Sequence, residues 1–506
     1  MIRTAPPKAP SLLDAVIPLL ILVVLLSLSV YLYGSDSSYG PNQLALFFAA
    51  GVAILIGLKN GYRWADMEKA MVHGISLSLG AVLILFAVGA LIGTWLLAGT
   101  VPSLIYYGLQ VLDPTWFYAA SCILCCIVSL AIGSSWTTAA TIGVALIGVS
   151  MGLGLSPVIT AGAIISGAYF GDKLSPLSDT TNLAPAIAGA DLFGHIRHML
   201  WTTVPSIVIA IILFAVLGFN ADATADAVKI QELSDELLKN FNISPVMLVP
   251  LFVLMAMAAK KVPAFPTVFI GALLGAVWAL IFQPEMVAKM VLLADPSKDL
   301  HPALGTLKVL WSTLHGGFSI ETGHAELDKL LSGGGMSKMM NTVWLIMSAM
   351  VFGSVLEHTG LLARFVQVIL AKVHSTGSLV ASTIGTCVAT NILAADQYMA
   401  IVMPGRMYKD EYARRGLAPV NLSRTLEDGG TITSALIPWN TCGAYMHGVL
   451  GISPLEYIFY AFFNLINPLL AIIYAYLGIK ILRLTPPETL LAPAVEATDI
   501  NGTSRS

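Results

Sequence analysis

Two carboxylates, a lysine, four hydroxyls and an amide crowd into Gly171-Asp-Lys-Leu-Ser-Pro-Leu-Ser-Asp-Thr-Thr-Asn182. Apolar runs flank this stretch on both sides, Ser156–Phe170 before it and Met199–Phe219 after it. At membrane depth each such polar group is costly unless it faces protein or a water-filled cavity. Pro176 in the middle reads as a helix interrupted on purpose, which frees backbone carbonyls beside Asp172, Asp179, Thr181 and Asn182. Hard oxygen ligands gathered at such a break can hold a small alkali cation. A polar loop at the membrane surface is the weaker reading, because ionisable residues between apolar runs default to function.

Three more polar interruptions stand out. Gly133–Thr141 carries Ser134, Ser135, Thr137, Thr138 and Thr141 without a charge. Hydroxyls can bond back to carbonyls of their own helix, but with Gly133 beside them an unwound segment is favoured. Thr390–Gln397 places Asn391 and Asp396 among apolar residues. Asp396 also suits the N-cap of a helix beginning at Gln397, and the two roles are compatible. The fourth, Leu426–Thr431, holds Glu427, Asp428 and two glycines and is followed by Pro438-Trp-Asn440. Its acids read either as surface charges or as part of another broken helix, and the glycines favour the second.

Other candidates are weaker. Glu357 is a lone acid ending an apolar run, a secondary site residue with Lys173, Glu427, Asp428 and Asn440. His195 and His198 have metal-like spacing but no carboxylate partner nearby, and a place at the cytoplasmic surface is expected. Cys122, Cys125, Cys126, Cys387 and Cys442 all sit in apolar segments and read as packing. There is neither G-x-x-x-x-G-K-[ST] nor G-x-G-x-x-G, so no nucleotide module and no cofactor is expected. No basic patch suggests nucleic acid. A membrane enzyme should show a triad or metal constellation, and neither emerges.

The elements that position these residues must be membrane helices. Of 506 residues 57% are hydrophobic and 11% charged, with mean hydropathy +0.81, against about 25% charged in soluble domains. Apolar runs of roughly 20 residues, a bilayer-spanning length, recur throughout. The expected fold is an all-α polytopic membrane protein with broken helices and re-entrant hairpins. Leu12–Tyr33 is too long for a signal peptide and reads as the first span. Lys and Arg before it, after the second span, at Lys260-Lys261, across Arg406–Arg424 and at Lys480 and Arg483 place both termini in the cytoplasm. An even number of crossings follows. The expected organisation is a cytoplasmic tail (1–11), a first membrane half (12–219) and a linker with one helix from about Ser244 (220–261). A second half (262–484) with an external connection near 284–338 and a disordered tail (485–506) complete it. The acidic Asn220–Asn242 is also placed outside.

A faint duplication runs through the halves at a spacing near 260 residues. Gly93 and Gly99 are echoed by Gly353 and Gly360, and the Gly133–Thr138 break by Ala389–Gln397. Asp172 is matched with Asp428, Asn182 with Asn440, and Asp191 with Ser453. The connection Ser150–Pro157 is uncharged whereas its counterpart Gly405–Arg424 is basic, so the copies have opposite orientation, as in secondary transporters.

The run Gly171-Asp-Lys-Leu-Ser-Pro-Leu-Ser-Asp-Thr-Thr-Asn-Leu-Ala184 resembles the NhaC family of Na+/H+ antiporters. Ala395-Asp-Gln-Tyr398, Arg406-Met-Tyr408, Glu427-Asp428 and Ile437-Pro-Trp-Asn440 are similar to the family pattern as well, so the likeness covers most of Ser11–Leu482. The resemblance implies an inverted-repeat carrier in a bacterial inner (plasma) membrane and a homodimer. It also admits a second activity, Na+- and H+-coupled exchange of organic acids such as malate and lactate.

The expected mechanism is exchange of Na+, or Li+, for H+. A deprotonated carboxylate binds the cation, a protonated one releases it, and burial and the cation act oppositely on the proton. Asp172 and Asp179 are the central pair, with Asp396 as third acid of a Na+ site. Ser134, Ser135, Thr138, Thr181, Asn182 and Asn391 supply neutral oxygens, and Lys173 pairs with an acid when the site is empty or protonated. Exchange of a dicarboxylate needs cationic or helix-N-terminal partners, and Lys173 is the one obvious cation at membrane depth.

Overall fold

The computed structural model describes residues 7–33, 37, 39–221, 227–260, 262–294, 300–322, 328, 331–370 and 373–484. The tail from 485 onward, expected to be disordered, lies outside them. The described residues are helical almost throughout. The first half comprises α1 (Leu12–Tyr33), α2 (Pro41–Lys59), α3 (Trp64–Leu97), α4 (Thr100–Val111), α5 (Phe117–Ile132), α6 (Ser135–Gly152), α7 (Pro157–Leu174), α8 (Asp179–Ala188) and α9 (Leu192–Phe219). Next come α10 (Ala227–Asn240), α11 (Pro245–Ala259), α12 (Ala264–Phe282), α13 (Pro284–Ala294) and α14 (Pro302–Gly316). The remainder is α15 (Met336–His358), α16 (Leu361–Leu370), α17 (Thr376–Leu393), α18 (Gln397–Arg414), α19 (419–434), α20 (Thr441–Leu450), α21 (Pro454–Tyr460) and α22 (Phe462–Leu477).

Among the described residues eight helices are long and apolar enough to cross a membrane, or ten if each of two bent pairs is one span. Large apolar side chains on α1, α2, α9 and α12 point outward, among them Val23, Phe48, Ile212 and Ile281. On a soluble protein such a surface would aggregate, whereas in a bilayer it meets hydrocarbon. The protein is an integral membrane protein.

Two connections are more ordered than the sequence suggests. The acidic linker is not a plain loop before one helix, because α10 precedes α11 across a bend of 85°. Leu233 and Leu237 give α10 an apolar stripe, and Leu233 reaches Gly152 of α6. The segment after α14 is held against α3. Phe318 and Gly333 exchange two backbone hydrogen bonds of 2.9 Å, and the Gly335 N–H donates to the Gly89 carbonyl. A Cβ at Gly89 would meet the Gly335 oxygen at 2.6 Å, so glycine there permits the contact.

Backbone landmarks recur in two parts of the chain at one constant spacing. Left-handed Gly133 corresponds to left-handed Ala395, Gly154 to Gly416 and Gly189 to Gly451. The N-caps Ser134, Ser178 and Asp191 correspond to Asp396, Asn440 and Ser453. Pro157, opening α7, corresponds to Pro419, opening α19. In this register Asp191 matches Ser453 as expected, but Asp172 faces Ser434 rather than Asp428. Asn440 likewise matches Ser178, not Asn182. Pairing like residue types gives other spacings, because the backbone landmarks recur where the side chains differ in type.

Candidate functional site

Four helix starts surround one cavity. The chain leaves α5 at Gly133 (φ 76°), and Ser134 caps α6 by accepting the Thr137 N–H at 3.2 Å. It leaves α17 through Ala395 (φ 55°), and Asp396 caps α18 by accepting the Met399 N–H at 2.9 Å. Ser178 precedes α8, and Asn440 caps α20 by accepting the Cys442 N–H at 3.0 Å. Residues at all four starts, together with α3 and the beginning of α12, line a cavity of about 840 Å3. Helix N-termini carry partial positive charge and favour carboxylates nearby, which explains how three acids are tolerated on one wall.

Asp172, Asp179 and Asp396 all line this cavity, as do Ser134, Ser135 and Asn182. Asp172, in the last turn of α7, has the richest set of donors. Its Oδ1 accepts the Ser135 N–H at 3.2 Å and the Ser178 hydroxyl at 3.3 Å, and its Oδ2 accepts the Ser135 hydroxyl. Asp179, the first residue of α8, is exposed to the cavity. The three acids share a cavity but not a coordination sphere: among the described residues no three His, Cys, Asp or Glu side chains are grouped to hold one metal ion.

Three expected oxygen donors lie elsewhere. Thr138 bonds back to the Ser134 carbonyl at 2.9 Å, and Thr181 donates to the Asp172 carbonyl, so both brace the breaks from behind. Asn391 donates to the Gly430 carbonyl at 2.7 Å and to Thr433 at 3.0 Å, and accepts from Asn440 at 3.0 Å. That places Asn391 and Asn440 in a buried clasp between α17, α19 and α20. Asn182 lines the cavity while its amide caps the Pro176 and Ser178 carbonyls. Glu357 is exposed in the last turn of α15 and does not line the cavity.

A second polar cluster is buried nearby and does not line the cavity. Lys173 pairs with Asp428 and donates to Asn467 at 2.6 Å, with both charged side chains fully buried. Asn467 and Thr202 donate to the same Asp428 oxygen at 2.8 and 3.2 Å, and Arg424 stands 3.9 Å from the other. Glu427 is wholly buried on the π turn Glu427–Thr431 within α19. Glu427 and Asp428 are therefore interior groups, not surface charges. The same holds for His195 and His198. The expected cytoplasmic-surface position fails because α19 covers the first turns of α9, and His195 Nδ1 lies 2.8 Å from the Ser423 hydroxyl.

Residues not among the expected site residues complete the wall, and one of them, Cys442, was expected only to pack. Ser178, Gln397, Tyr398, Thr441 and Cys442 line the cavity, and the Gln397 amide oxygen accepts from Ser434 at 3.1 Å. Ser178 lay within the opening motif, and Gln397 followed the cap Asp396, so position beside a break was the available signal. Trp136 stacks on Tyr445 with ring centroids 4.0 Å apart, and the Thr441 N–H reaches the Ala395 carbonyl at 2.9 Å. These contacts join the two sets of breaks around the cavity.

A bundle of apolar helices whose interrupted segments converge on a cavity lined by three acids defines the class: a polytopic membrane protein with broken helices at membrane depth. Residues 167–479 match the model of the Na+/H+ antiporter family, and the chain belongs to that family. It is 38% identical to the Na+/H+ antiporter NhaC of Alkalihalophilus pseudofirmus, over 85% of this chain and 89% of that protein. It is 40% identical to the malate-2H+/Na+-lactate antiporter of Bacillus subtilis, over 93% of this chain and 96% of that one. The Bacillus subtilis Na+/H+ antiporter NhaC is 34% identical, over 86% and 92%.

Proposed function

We propose that the protein is a secondary active transporter that exchanges Na+, or Li+, for H+ by alternating access. One observation carries this reading: Asp172, Asp179 and Asp396 line a single cavity with Ser134, Ser135 and Asn182 inside the helix bundle. Carboxylates and neutral oxygens are ligands for hard cations. The relatives named as Na+/H+ antiporters support the same ions. Asp172 and Asp179 hold the cation, and their serine and asparagine neighbours replace part of its water shell.

The recurrent landmarks support two structural units, and the uncharged Ser150–Pro157 against the basic Gly405–Arg424 supports their opposite orientation; their relative movement carries the site from one side to the other. The cavity wall includes Val262–Phe265, next to Lys260. The charge rule supports a cytoplasmic position for that end and for both termini. We place the protein, as a homodimer, in a bacterial inner membrane.

A second reading, exchange of small organic acids, is favoured by the size of the cavity. A volume of about 840 Å3 falls among small-molecule sites rather than single-ion sites. The helix starts could receive an anionic carboxylate, and the malate/lactate relative supports it. Inverted vesicles with an internal proton gradient separate the two. Na+ or Li+ alone dissipates the gradient on the first reading, whereas on the second dissipation requires malate and lactate as well.

A further inference from the structure

We propose that Glu427, outside the cation cavity, is the carboxyl that carries the exchanged proton. The inference rests on the sodium–proton reading and divides its two ligands between two places. Asp172 and Glu427 are both buried acids, yet their surroundings are opposite. Three donor groups meet the Asp172 carboxylate. The Thr431 hydroxyl lies near Glu427, but neither carboxyl oxygen meets a donor in hydrogen-bonding geometry, and the side chain is wholly buried. A bare carboxylate in such a place costs several kcal/mol unless a cation approaches or a proton binds. The donors at Asp172 suit a group that stays an anion for Na+, and their absence suits a group that holds H+.

The charges around Glu427 supply the coupling. The charges of Lys173 and Asp172 on α7 and of Asp428 on its own helix act on Glu427, which in turn acts on the Cys387 thiol of α17, while Arg424 stands beside Asp428. His195 and His198 of α9 stand beside Lys173 and Arg424. When Glu427 gives its proton to water, Lys173 gains a second carboxylate to pair with besides Asp428. Lys173 adjoins Asp172 in the last turn of α7, so a shift of its side chain is felt at the cavity wall. The π turn bearing Glu427 adds a local irregularity of the kind found at functional sites. One proton taken from water on one side and released on the other balances the step.

The test uses the full-length protein in proteoliposomes, with radioactive Na+ counterflow at equal pH and Na+-driven proton movement measured on one preparation. Glu427→Gln is expected to keep Na+ counterflow and lose proton movement. Undiminished proton movement in this variant overturns the proposal. So does loss of both activities in a monodisperse variant, because the residue would then not be specific to the proton. If the Gln variant does not fold, Glu427→Asp decides: coupled movement with a displaced pH profile is expected, and an unchanged profile is the overturning result. Wild-type protein that shows Na+ counterflow but no proton movement rejects the Na+/H+ reading itself, and the role of Glu427 falls with it.

Discussion

Ser135 gives both its backbone N–H and its hydroxyl to the carboxylate of Asp172, tying the first residue of α6 to the last turn of α7. The cavity wall is therefore built from a carboxylate that also anchors a helix start. Asp172→Asn keeps an acceptor for Ser135 but removes the charge. The expected outcome is a folded protein whose Na+-driven exchange is lost. Asp172→Ala removes the anchor as well and is expected to lower stability by a further ~1–3 kcal/mol, read as a lower melting temperature in detergent. Equal melting temperatures for the two variants would reject the anchoring role.

The four breaks were legible because polar residues inside apolar runs have few innocent explanations. What the sequence hid was their register. Gly133 announces a left-handed residue, but its counterpart is Ala395, an ordinary alanine at φ 55°, and nothing in its identity signals that conformation. The separation of Asn391 from the cavity was equally hidden, since it depends on α19 approaching α17 closely enough for the Gly430 carbonyl to claim the amide. The helix α10 was within reach: Ile230, Leu233 and Leu237 recur at helical spacing among the acids of the linker.

Ala395 yields a prediction of its own. A non-glycine residue held in the left-handed region costs roughly 1 kcal/mol. Ala395→Gly is expected to raise the melting temperature or leave it unchanged if added chain entropy offsets the relief, with transport retained. The reverse change, Gly133→Ala, is expected to be severe. Its Cβ would stand 2.6 Å from that of Leu177 at φ 76°, displacing the α7–α8 break. Yield of monodisperse protein is the measurement, and a wild-type yield would contradict the packing.

The Lys173–Asp428 pair is fully enclosed. Removing one partner of such a pair leaves an unpaired buried charge and costs about 3–5 kcal/mol, whereas replacing both can be nearly neutral. Lys173→Met and Asp428→Asn are each expected to depress folding. The double variant is expected to recover part of the loss without recovering transport. Simple additivity of the two effects in melting experiments would mean that the residues do not interact as placed.

Asp396 combines two roles that substitution can separate. Its Oδ1 caps α18 through the Met399 N–H, and its carboxylate lines the cavity. Serine at an N-cap satisfies the same donor without a charge, and Ser134 occupies the corresponding place in α6. Asp396→Ser should therefore stay close to wild type in stability, while Asp396→Ala loses about 1 kcal/mol. If the charge serves the cation, both variants lose Na+ affinity alike, seen as a higher Na+ concentration for half-maximal exchange. If Asp396 is only a cap, the serine variant transports normally and the alanine variant is impaired in proportion to its lost stability. The affinity of the serine variant relative to the wild type thus reports the charge alone.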